Sequence, residues 1–177
     1  MTSRRLFAIV LAFALAEGLA PPRGVDVTTA ARDGRVYVSC SFQANETDEL
    51  DEAIHAGLTS SITYEVDLRR SVGFFERTLA SATVAASVQH DTLTGRYQLT
   101  RAVDGRIEDT LVSEDLVVVK RFLTQFTKLP LFSTADLEPN VEYAVRVRVK
   151  TRPQKTWFFW PWDRTTASGL ARFTFIP

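Results

Sequence analysis

Cysteine is almost missing from this chain: Cys40 is the only one. That excludes an intrachain disulfide framework and every cysteine-pair metal or redox motif. Cys40 alternates with Val36, Val38 and Phe42, so it is expected to be a small buried hydrophobe on a strand face. Histidine is scarce too, at two residues, His55 and His90. The chain has no H-E-x-x-H, C-x-x-C, G-x-G-x-x-G, P-loop or G-x-S-x-G sequence. The acidic run at residues 46–52 lacks the spacing of a calcium loop. No catalytic residue, metal or cofactor is therefore expected, and the chain reads as non-enzymatic. His90 stands next to Asp91, but no nucleophile is spaced to use the pair, and a strand-end histidine beside a turn is the simpler reading. Net charge is absent as well, with 21 Lys and Arg against 21 Asp and Glu. A nucleic-acid partner is not expected, because such domains normally carry a net basic patch.

No long hydrophobic run is present either. The longest, residues 6–15, falls short of the roughly 20 apolar residues of a membrane-spanning helix. It follows Arg4 and Arg5 and precedes Ala14-Leu15-Ala16, the arrangement of an export signal with small residues at its cleavage site. Residues 1–16 are expected to be a signal peptide cleaved after Ala16, residues 17–24 a Pro-containing linker, and residues 25–177 one domain. The twin arginine leaves both the general-secretion and the twin-arginine routes open, and a retained anchor is the alternative to cleavage. The expected location is the periplasm or cell envelope.

What is abundant is two-residue alternation. Val36, Val38, Cys40 and Phe42 alternate in one segment, and Ile62, Tyr64, Val66 and Leu68 in another. A small-residue face, Ala80, Ala82, Val84, Ala86 and Val88, follows. Asp33-Gly34 and Asp104-Gly105 are two-residue hairpin signals. The pattern predicts strands over residues 25–31, 35–43, 60–69, 78–90, 96–103, 106–112, 143–150 and 170–175, with 78–112 an antiparallel meander. Two helices are expected. One covers residues 48–56, with Leu50, Ile54 and Leu58 inward. The other covers 114–127, capped by Ser113, with Leu116, Val119, Leu123 and Phe126 inward. The class is α+β and mostly antiparallel β, a two-layer sheet or β-sandwich of about eight strands with two inserted helices.

Residues 143–172 stand apart. Tyr143, Val145, Val147 and Val149 point one way; Arg146, Arg148 and Lys150 point the other. The chain then runs into Trp157-Phe158-Phe159-Trp160-Pro161-Trp162, which holds all three tryptophans. The basic face has two readings: a docking surface, or a strand face neutralised by Glu65 or Asp67 from a neighbour. Aromatics in succession cannot all point inward from a strand, so some are expected to be exposed, as at a binding or membrane-contact site.

The turn Leu137-Glu138-Pro139-Asn140-Val141-Glu142-Tyr143 leading into Arg146 and Arg148, and a late Trp162-Asp163 before the closing strand Arg172-Phe173-Thr174-Phe175, resemble the bacterial domain-of-unknown-function family 4390. The resemblance runs over residues 25–175. It implies an exported envelope protein and brings no catalytic residues with it. Asn140 stands where that family usually has glycine, and the aromatic run replaces a Pro-Leu-rich segment. The expectation is a binding or scaffolding domain that docks on the membrane surface or a membrane protein. Trp157, Phe158, Trp160 and Trp162 would make the contact, with Arg146, Arg148 and Lys150 beside them. The alternative is a carrier of a small apolar ligand held between the sheet and the second helix.

Overall fold

The computed structural model describes residues 24–43, 54, 59–72, 75–151 and 165–177. Within them the chain forms nine strands and one helix. In order these are β1 (Val25–Arg32), β2 (Arg35–Phe42), β3 (Ser60–Val72), β4 (Phe75–Asp91), β5 (Arg96–Val103), β6 (Arg106–Ser113), α1 (Leu116–Thr124), β7 (Gln125–Ser133), β8 (Glu142–Thr151) and β9 (Thr165–Thr174). A six-stranded sheet runs β6-β5-β4-β3-β8-β9, and a three-stranded sheet runs β1-β2-β7. Every strand pair within the sheets is antiparallel.

The two Asp-Gly signals make the turns expected of them. Asp33 and Gly34 both have positive φ, as do Asp104 and Gly105, the conformation that matches the twist of the flanking strands. The alternating positions bury one face of each sheet. Val36, Val38 and Cys40 from β2, Tyr64 and Val66 from β3, Val84 and Val88 from β4, and Val145, Val147 and Val149 from β8 all join one core. Cys40 is buried there, and desolvation first, then the nearby Asp26 charge, push its thiol pKa up to about 12. It therefore stays protonated at neutral pH.

The two sheets meet where β1 lies against β9. Gly24 bridges Ser168 in parallel fashion. A Cβ on Gly169 would sit inside the van der Waals contact of the Val25 carbonyl oxygen and 2.8 Å from Val27 Cγ2. Glycine is what lets the two strands approach this closely.

Three expectations need correction. The second helix is shorter than residues 114–127. Asp115, not Ser113, is its N-cap, its carboxylate accepting from the Val117 N–H at 2.8 Å, while Ser113 Oγ accepts from the Asp115 N–H. The helix ends at Thr124 because Gln125 already has extended backbone. From there residues 125–133, of which 125–127 were expected to finish the helix, form a ninth strand. Pro130 is tolerated because β7 is an edge strand, where a missing donor can face away from the ladder. Lys128 has positive φ and sits at a register shift against β2, donating its N–H to Ser39 Oγ at 3.0 Å. Of the first expected helix, residues 48–56, only Ile54 lies among the described residues; it is helical and fully buried.

Candidate functional site

The candidate surface is the outer face of β8 and the end of the sheet from which residues 152–164 depart. β8 behaves as its alternation demands: Tyr143, Val145, Val147 and Val149 are buried. The other face carries Arg146, Arg148 and Lys150, and the register sets Arg148 opposite Glu65 and Arg146 opposite Asp67 on β3. Arg148 reaches both carboxylates, Asp67 at 2.9 Å and Glu65 at 3.3 Å, and Lys150 meets Glu65 at 2.6 Å. Arg146 leans across to Glu76 of β4 at 3.4 Å, where Arg69 also pairs. Ser81 Oγ donates to Asp67 at 2.7 Å.

Three carboxylates thus answer four cations. The basic half of the expected surface is an ion-paired lattice across β4, β3 and β8, the second of its two readings. Each exposed pair contributes only about 0–1 kcal/mol. The lattice fixes register and holds the arginine heads in place more than it adds stability.

The aromatic half, Trp157, Phe158, Trp160 and Trp162, lies outside the described residues, and so does His55. The strands on either side define where that segment roots. β8 ends at Thr151, β9 begins at Thr165, and Lys150 pairs with Thr165. Arg148 pairs with Ser168, the residue that Gly24 bridges. The N-terminal segment and the tryptophan segment therefore leave the same end of the large sheet.

His90 stacks on Tyr97 with ring centroids 4.5 Å apart. Asp91 does not orient it. Its carboxylate is turned into its own turn, accepting from Thr94 Oγ1 at 2.8 Å and the Leu93 N–H at 2.9 Å. Those bonds, the Thr94 one foremost, hold its pKa below the ordinary carboxylate value. Where the alternative expectation placed an apolar ligand, Tyr64, Val119 and Leu123 are fully buried between sheet and helix. The Tyr64 hydroxyl donates to the Leu123 carbonyl at 2.6 Å, and its ring meets Phe126 edge-on.

One residue of consequence escaped the sequence reading. Arg101 is nearly fully buried. Its Nη2 donates to the carbonyls of Phe122 at 2.7 Å and Gln125 at 2.9 Å, and its guanidinium lies 4.1 Å from the Phe122 ring centroid. It satisfies carbonyls that the end of α1 leaves without partners, and a cation there also suits the helix dipole. Burial lowers its pKa below the usual arginine value. The clue was parity: Arg101 follows Tyr97 and Leu99 on the inward side of β5.

The turn before β8 is built as tightly. Leu137 is buried, Asn140 takes positive φ, and the Glu138 N–H donates to the Tyr143 hydroxyl at 2.8 Å. Arg70 grips Glu138 with two bonds, at 2.5 and 2.8 Å. The family model described as a domain of unknown function, DUF4390, matches residues 24–156. The chain belongs to this family. No curated protein and no solved structure matches the chain. The DUF4390 match is narrower than the expected 25–175: it takes in the Leu137–Tyr143 turn and β8 and stops just before Trp157. Of the residues quoted for the resemblance, Leu137–Tyr143, Arg146 and Arg148 lie in the matched region and make β8 and the turn into it, while Trp162-Asp163 and Arg172–Phe175 lie beyond it.

Proposed function

We propose that this DUF4390 protein is a non-enzymatic binding or scaffolding domain of the cell envelope. It is exported by its N-terminal segment and docks on the membrane surface or a membrane protein through Trp157, Phe158, Trp160 and Trp162. The body that presents them is a two-layer β-sandwich with its first helix near residues 48–56. One observation carries the reading: the Gly24–Ser168 bridge. It sets Gly24 at the same end of the large sheet as Thr151 and Thr165, between which the tryptophans lie in sequence, and that end is the one taken here to face the membrane. Tryptophan and phenylalanine suit the interface between water and lipid, where an apolar ring can be buried with its polar edge wet. Arg146, Arg148 and Lys150 act here as a braced, ion-paired margin to the docking end.

The test is envelope association of the triple variant Trp157→Ser, Trp160→Ser, Trp162→Ser. The expected result is loss of membrane-fraction association with an unchanged thermal midpoint. A variant that associates as the wild type does overturns the proposal.

A further inference from the structure

The large sheet has a step in it. β4 spans Phe75–Asp91, yet β5 pairs with it only from Val84 onward. The turn after β5 closes that ladder: the Asp104 N–H donates to the Thr83 carbonyl, and the Thr83 N–H donates to Asp104 Oδ1, both at 2.8 Å. Beyond Thr83, residues 75–82 are paired with β3 on one side only. Among the described residues no strand bonds their other side. The vacancy continues the line of β5 and is about 26 Å long at the usual rise per residue.

The β3–β4 hairpin also overhangs the sheet. β8 covers β3 only as far as the Tyr143–Arg70 pair. Past it the hairpin is a two-stranded ribbon, a form marginal in water when nothing packs on it. The register against β3 slips by one residue at Leu79, a bulge that re-aims the side chains on either side of it. Phe75 is 80% exposed and Leu79 42% exposed. Its neighbours Arg69 and Arg70 are neutralised by Glu76 and Glu138. Arg77, two residues from Phe75 on the same strand face, is exposed and has no carboxylate partner among the described residues.

We infer that residues 75–82 of β4 receive an extended segment of a partner protein, which adds to the large sheet as a strand in line with β5. Only a polypeptide offers the alternating N–H and carbonyl groups that this open ladder leaves unmet. Arg77 selects a segment with an acidic side chain, and Phe75, on the same face, selects an apolar one beside it. The hairpin tip lies at the end of β3 opposite the Thr63–Lys150 pair, so this site stays open when the tryptophan end is docked. The inference does not rest on that docking.

The experiment uses the full chain and a soluble fluorescein-labelled peptide of alternating valine and threonine with one central aspartate, capped by lysines. The expected result is a saturable rise in anisotropy, with slowed amide exchange confined to residues 75–82. Arg77→Glu is expected to weaken binding about tenfold or more, through like-charge repulsion in place of an ion pair. Phe75→Asp at the exposed tip should weaken it as well, both variants keeping the wild-type thermal midpoint. No saturable binding, protection at β6 instead, or binding undiminished in both variants overturns the inference. A peptide-free dimer already protected at residues 75–82 also overturns it, in favour of a second copy as occupant.

Discussion

Replacing Arg101 by alanine is expected to cost about 3 kcal/mol of stability, a large part of the 5–15 kcal/mol typical of a domain. The arithmetic starts from one buried carbonyl, Phe122 O, and one part-buried carbonyl, Gln125 O, that share one guanidinium nitrogen. Hydrogen bonds to a charged group contribute about 1.5–3 kcal/mol each, and stranding a buried acceptor costs about as much. The stacked contact with Phe122 adds to the loss. Against it stands the relief of no longer burying a cation. Asp109, the remaining partner at 3.6 Å, is half-exposed and returns to water at little cost. Arg101→Met, which keeps most of the packing volume, should lose less than Arg101→Ala. Arg101→Lys keeps the charge but not the planar fork and should fall between wild type and alanine. Urea denaturation of the four proteins checks the order. A loss below about 1 kcal/mol for alanine would mean that the end of α1 finds its partners elsewhere.

Gly169→Ala is the second large effect. The backbone at Gly169 is not in the left-handed region, so alanine is not excluded by conformation. The obstacle is the Val25 carbonyl, which a Cβ would overlap and which is main chain with no rotamer to move. β1 must therefore slide off β9, exposing Val25 and Ala167, both buried in the wild type. Overpacking of this kind costs about 1–3 kcal/mol, or roughly 2–4 °C of thermal midpoint per kcal/mol at this chain length. Val27→Ala in the same chain removes the Cγ2 contact but not the carbonyl contact, so it should rescue only part. Amide exchange should show β1 losing protection while β3, β4 and β8 keep theirs. Wild-type stability in the alanine variant would show that β1 is free to adjust, and that the close approach is not a requirement of the fold.

Much of this architecture was written in two-residue periodicity. β2, β3, β5 and β8 bury the residues that their alternation marks, and both Asp-Gly pairs turn as their chemistry requires. β7 was hidden for a local reason. It follows α1 with no intervening loop, and its phenylalanine and leucines continue a helical stripe until Pro130. Only the pairing with β2 makes those residues a strand. Gly169 was silent because the need for glycine arises from a strand more than a hundred positions away in sequence. The lattice around Arg148 was half legible. Alternation put the cations on one face and proposed Glu65 and Asp67 as partners, but the reach of Arg146 to Glu76 depends on the β3–β4 register. The family motif was legible as sequence, while its role as the Leu137–Asn140 turn clamped by Arg70 and Tyr143 emerged only in three dimensions.

The central claim, that the tryptophan end docks on a membrane or membrane-borne partner, is most directly tested by tryptophan emission with and without anionic lipid vesicles. All three reporters sit in residues 157–162, so the signal comes from the segment in question and from nowhere else. The account predicts red-shifted emission in buffer that moves blue as vesicles are added, with the end that carries Gly24 and Thr165 turned toward the lipid. Emission that is already blue in buffer and indifferent to vesicles would contradict membrane docking and place the tryptophans in the core.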